Sequence, residues 1–189
     1  MTKSQGDVVE AALAILDERG AAAISMRTIA ERLGVRMNTV LWHAKSKARL
    51  MELVADAIVG EASLDDLPAH WRERAVELTR RYRHALLAHR DGATVVTGTY
   101  PAEPATLNFA EALVAAILDG GLPEQQAAWT CWSLIYFTLG LTQEEQALPG
   151  RSTIDLDVGQ RPALRRVASA LIESSFEERF EFGVAKLLH

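Results

Sequence analysis

Along the 189-residue chain, apolar positions recur at three- and four-residue steps, and no segment alternates at every second residue. That pattern predicts helices throughout and no sheet. Val8, Ala12, Ile15 and Leu16 form the stripe of a first helix over 5–19, which Gly20 stops. Ser25 is placed to cap a second helix over 26–33, closed by Gly34. A very short third helix spans 37–44. Ser46 offers a cap for a fourth over 47–61, with Leu50, Leu53, Val54, Ala57 and Ile58 on its apolar face. After the acidic turn at 63–68, a long helix covers 69–88. A segment punctuated by glycine and proline follows, with a short helix at 93–97. Further helices are expected at 105–119, 124–147, 163–173 and 175–188, with a loop over 148–162.

The uncharged run 125–143 has the length of a membrane span. Glutamines close both ends, Glu124 and Glu144 flank it, and no Lys or Arg stands nearby as an anchor. A helix buried in protein or at a subunit interface is the better reading, so no membrane partner is expected. Asp7 and Glu10 interrupt the first apolar stripe, which argues against a signal-peptide core and for a cytoplasmic protein. The lone Cys131 rules out an internal disulfide and a multi-cysteine zinc site. The five histidines form no HExxH motif, no metal pair at helical spacing and no triad, and no phosphate-cradling glycine loop occurs. An enzyme is therefore not expected, nor is a metal or a cofactor.

Charge is unevenly spread. The net charge is −5, yet residues 1–50 hold eight Lys or Arg against five Asp or Glu, and the remainder holds twelve against twenty. A basic first quarter on an acidic body suggests that only the first part meets a polyanion. Within it, Ala30, Gly34 and Val40 have the spacing a helix-turn-helix needs. A small residue lets two helices cross, a glycine turns the chain, and an apolar plug seats the second helix. Val40 and Ala44 then face Ile29 and Leu33, leaving Asn38 and Trp42 outward with Met37, Thr39 and Leu41 at the flanks. The candidate DNA-facing set is Arg27, Arg36, Met37, Asn38, Thr39, Leu41, Trp42, His43, Lys45 and Lys47. Asparagine can pair with adenine in the major groove, and the basic residues suit phosphates. Spacing alone also allows a generic helical hairpin with a solvated basic face.

The stretch MRTIAERLGVRMNTVLWHAKSKARLMELV, 26–54, resembles the DNA-binding domain of the TetR family of bacterial transcriptional repressors. YRHALLAHRDGATVVTGTYP, FTLGLTQEEQ and FEERFEFGVAKLL are similar to the regulatory domain of the family's tetracycline-responsive branch. The resemblance implies an all-α protein. A three-helix helix-turn-helix DNA-binding domain would span 1–46, and a larger helical ligand-binding and dimerisation domain 47–189. It implies a homodimer on double-stranded palindromic operator DNA, released by a small-molecule effector. The subunit interface would lie on the helix from Glu124 and on the last helix, with its stripe Phe176, Phe180, Val184, Leu187 and Leu188. Arg27, Met37, Asn38 and Thr39 would meet bases or groove walls, and Trp42, His43 and Lys47 the DNA backbone. Leu41 replaces the usual tyrosine, and Met37 and Asn38 also depart from the tetracycline branch, so a different operator is implied.

In that branch a drug–magnesium chelate sits in the regulatory domain. Here Val96 occupies the metal-binding histidine's place, Tyr100 an arginine's, Tyr136 another histidine's, Leu78 an asparagine's, Ser63 a histidine's and Tyr82 a phenylalanine's. Thr99 and Pro101 are retained, and Glu144 stands where the partner's glutamate would. With valine in place of the protein ligand, a hard cation has little to hold it. The implied pocket is retuned for an apolar or aromatic effector. Its candidate residues are Ser63, Leu78, Tyr82, Leu86, Val96, Thr99, Tyr100, Pro101, Trp129, Trp132, Tyr136, Phe137 and Glu144. Two alternatives stand beside this: a vestigial pocket with control through a protein partner, and a magnesium–tetracycline response.

Overall fold

The structure, a computed structural model, describes residues 3–99, 102–148 and 159–189. Among the described residues it contains ten α-helices and no strand: α1 (Gln5–Arg19), α2 (Met26–Leu33), α3 (Met37–Ala44), α4 (Lys47–Gly60), α5 (Trp71–Ala88), α6 (Gly92–Val96), α7 (Pro104–Asp119), α8 (Glu124–Ala147), α9 (Pro162–Glu173) and α10 (Phe176–Leu187). A single 3-10 turn, Ala21–Ala23, follows α1.

Serines start four of these helices. Ser4, Ser25, Ser46 and Ser175 each accept a hydrogen bond from the backbone N–H three residues on, satisfying a donor that the helix leaves unpaired. Gly34 ends α2 in the left-handed region at φ 65, and its N–H reaches back to Ala30 and Glu31. That backbone turn lets α3 cross α2 closely, with Ile29, Ala30, Val40 and Ala44 all buried between them. Lys45, between α3 and the Ser46 cap, is also at positive φ, 61, which a residue with a Cβ adopts only at a cost of about 1–2 kcal/mol.

Helix α4 begins where the sequence places the domain boundary. It packs both on α1 and α3 and on α5, α6 and α7. The apolar core runs without a break from Val8 to Leu188 across that boundary. Head and body are also joined by His89, at the end of α5. Its Nδ1 lies 3.0 Å from Asp17 of α1 and its Nε2 2.9 Å from Glu61 at the end of α4. Burial disfavours the imidazolium, but hydrogen bonds to Glu61 and Asp17 outweigh it, and the His89 pKa is raised.

In the body, α5, α7 and α8 pack on one another, α6 wedges between α4 and α8, and α10 lies against α8 and α5. Of the stripe expected at the subunit interface, Phe180, Val184 and Leu188 are buried within the chain against its own helices, while Phe176 and Leu187 are half-buried. Periodicity marked these positions as buried but not what buries them. Gly183 allows the close fit, because a Cβ there would lie 2.1 Å from the Phe137 ring. The outer side of α10 instead carries Phe182, 66% exposed. Helix α9 has no buried residue and shows Leu164, Val167 and Leu171 to solvent. Among the described residues, no helix is long and apolar enough to cross a membrane.

Candidate DNA-reading head and effector cavity

On α3, Met37, Asn38 and Trp42 are exposed, Thr39, Leu41 and His43 half-buried, and Val40 and Ala44 buried. Arg27, Arg36, Lys45 and Lys47 are exposed around the same face. Trp42 is 72% exposed, and the Lys45 ammonium sits 4.6 Å from its ring centre, a cation–π contact at the tip of the head. The Arg27 guanidinium is held along α2 by Glu31 at 2.9 Å. Arg32 of α2 clasps Glu18 of α1 through two nitrogens at 2.7 and 2.8 Å, and Gln5 donates to the His43 carbonyl at 3.2 Å, so α3 is braced from behind. The exposed face of α3 thus presents Met37, Asn38 and Trp42, ringed by Arg27, Arg36, Lys45 and Lys47 from the flanking segments, with Val40 and Ala44 packed behind it.

A cavity of about 660 Å³ lies in the body. Val59 of α4 and Tyr82 of α5 form one side. Val96 and the segment 97–99 form another, followed by Ala102 and then Thr106, Leu107, Phe109, Ala110 and Val114 of α7. Ala128, Cys131, Trp132, Ile135, Tyr136 and Leu139 of α8 complete it. Among the described residues, no charged side chain lines it. Tyr82 stacks on Phe109 with ring centres 5.1 Å apart, and Trp132 on Tyr136 at 5.3 Å. Burial pushes the Tyr82 phenol well above its usual range and the Cys131 thiol up to about 11, so both stay neutral. The Thr99 hydroxyl donates to the Val96 carbonyl at 2.7 Å. Such an interior suits an uncharged, flat, apolar guest with few polar handles.

Of the residues singled out from the sequence, Tyr82, Val96, Thr99, Trp132 and Tyr136 stand on the cavity wall. Tyr100 and Pro101 lie outside the described residues. The other six do not form the wall. Leu78 and Leu86 are fully buried core residues. Ser63 is exposed in the turn after α4, where it accepts from the Asp65 N–H at 3.1 Å. Trp129 is 60% exposed and Glu144 is exposed. Phe137 stacks near Phe180 of α10 at 6.4 Å. The helical turn of about 100° per residue separates Phe137 from its neighbour Tyr136. The sequence reading missed Val59, the α7 wall, and Ala128, Cys131, Ile135 and Leu139. The three- and four-residue spacing of the last four along α8 was the available signal. Among the described residues, no group of His, Cys, Asp and Glu is arranged to hold a metal ion.

Residues 8–54 match the family described as bacterial regulatory proteins, tetR family, and residues 64–189 match the tetracyclin repressor-like C-terminal domain. The chain is 33% identical to the class A tetracycline repressor of transposon 1721 from Escherichia coli, over 100% of this chain and 90% of that protein. It is also similar to ActR from Streptomyces coelicolor in complex with actinorhodin, with a TM-score of 0.87 and 26% identity over 100% of this chain and 96% of that one. BioQ with its natural double-stranded DNA operator gives a TM-score of 0.73 and 29% identity over 98% of each chain. A braced helix-turn-helix on a hollow helical body is the build of a DNA-binding transcriptional regulator. The chain belongs to the TetR family of bacterial regulatory proteins.

Proposed function

We propose that this chain is a homodimeric repressor that binds a palindromic operator through α3 and is released from it by an uncharged, mostly aromatic effector held in the cavity. The observation that carries this reading is the cavity itself. Its described wall is apolar and free of charged side chains, and it includes Val59 of α4, the helix that follows α3. A dimer would place two heads on half-sites about one DNA turn, ~34–36 Å, apart. The exposed Trp129, Trp132 and Tyr136 of α8 and Phe182 of α10 give the body apolar surface that a second copy can cover. Val96 on the wall in place of a metal-binding side chain argues for a response independent of magnesium. The relatives seen with actinorhodin and with operator DNA support both a ligand site and a DNA site in this build.

The test is fluorescence anisotropy on an operator duplex selected from random sequence, titrated with a panel of neutral and charged aromatic compounds. Neutral members should release the duplex and charged analogues should not. Addition of EDTA should leave the midpoint unchanged. Release only by charged compounds, or only when magnesium is present, would overturn the reading.

A further inference from the structure

Helix α4 belongs to both the head and the cavity wall, and three contacts along one of its faces fasten it to the first turn of α7. Helix α7 opens with Pro104, which has no N–H, and its own N-cap residue, Glu103, makes no capping hydrogen bond. The cap comes instead from α4. One oxygen of Asp56 accepts from the Thr106 N–H at 2.7 Å and from the Thr106 hydroxyl at 2.8 Å; the other accepts from the Ala105 N–H at 3.4 Å. Glu103, relieved of capping, pairs with Arg49 of α4. Arg49 is held in place on its other side by Glu52 at 3.0 Å. At the far end of α4, Gly60 lies so close that a Cβ there would be 3.1 Å from that of Ala105. Arg49, Asp56 and Gly60 are seven and four residues apart, which places them on one side of the helix.

The same first turn of α7 carries Thr106 and Leu107 on the cavity wall, with Ala102 just before it. A guest in the cavity therefore presses on the very residues that α4 holds. Apolar packing alone is non-directional and lets helices slide. A carboxylate fixed on the unpaired N–H groups and positive dipole end of a helix is directional and resists sliding. We propose that Asp56, with the Arg49–Glu103 pair as a second tether, is the positioning residue that makes α4 and the reading head follow the first turn of α7 when the cavity fills. This rests on the cavity being the effector site.

Coupling between two sites is reciprocal, so it can be read without knowing the natural effector. The probe is Nile red, an uncharged polycyclic dye, titrated against the full-length protein with and without the selected operator duplex. In the wild type, the duplex should weaken dye binding by about tenfold or more. In Asp56→Ala that factor should fall to within about twofold, while the separate affinities for dye and for duplex each change by less than about threefold. Glu103→Gln should lower the factor partway. Asp56→Asn keeps the shape and one acceptor oxygen, so it reports on the tether even if the alanine variant folds poorly. It should lower the factor partway, through loss of the charge and of the Ala105 bond, at an unchanged melting temperature. Variants that retain the wild-type factor overturn the tether alone. A wild type in which dye and duplex ignore each other overturns the cavity reading and the tether together.

Discussion

Trp42 is largely in water under the Lys45 ammonium and Asn38 is exposed one turn before it, while Val40, two residues from each, is completely buried. Burial therefore does not hold the Trp42 ring in place, and the proposed reading gives it the DNA backbone to meet. On the proposed reading, the exposed residues of α3 and its flanks would make two kinds of contact, which substitution separates. Asn38→Ala should cost about 1–3 kcal/mol on the selected operator and relax preference at one base pair, with little effect on random DNA. Lys47→Ala should weaken all duplexes alike and reduce the slope of log affinity against log salt by about one. Binding measured from low to high salt on matched and mutated duplexes checks both. An unchanged slope in Lys47→Ala would remove that residue from the phosphate contacts.

At the level of elements, α8 shows what a sequence can and cannot say. Its start was legible after the Gly120–Gly121 stop, as were the starts of α2 and α4 through Ser25 and Ser46 and the ends of α1 and α2 through Gly20 and Gly34. Which side of α8 meets which neighbour was not legible, because apolar residues surround it almost completely. Ile135 looks into the cavity, Leu134 into the core, Phe137 toward α10, and Trp129 into solvent. The same ambiguity hid the destination of the Phe180–Val184–Leu188 stripe, since burial by one's own chain and by a second copy leave the same periodic trace. The α7 wall was invisible for a related reason: its small residues, Ala110 and Val114, read as ordinary helix filler. The α8–α10 contact can be probed directly. Gly183→Ala forces its new methyl into the Phe137 ring, whose nearest atom would be 2.1 Å away. That overpacking should lower stability by about 1–3 kcal/mol in urea unfolding without altering the reading head.

Across the whole molecule, head and body are held together by polar groups as well as by core. His89 donates to Asp17 and Glu61 only when both of its nitrogens carry protons. Its folded pKa is raised above the ordinary 6.5, so its contribution is fully present below about 6.5 and is lost as pH rises through the folded value. The groups around it are Asp17, Glu61, the neighbouring Arg90 and Asp91, and Gln146, which donates to the His89 carbonyl at 2.8 Å. His89→Gln should therefore lower stability by about 1 kcal/mol at pH 6, with the gap narrowing toward pH 9. Melting curves of both proteins across that range decide it, and a gap that widens with alkalinity would refute it. The uncharged cavity has its own consequence for proton chemistry, one that belongs to the guest. A phenolic inducer would have to shed its ionised form at the door, so above its own pKa its potency should drop about tenfold for each further pH unit. A bacterium carrying such a sensor would hear weak acids best when its interior turns sour.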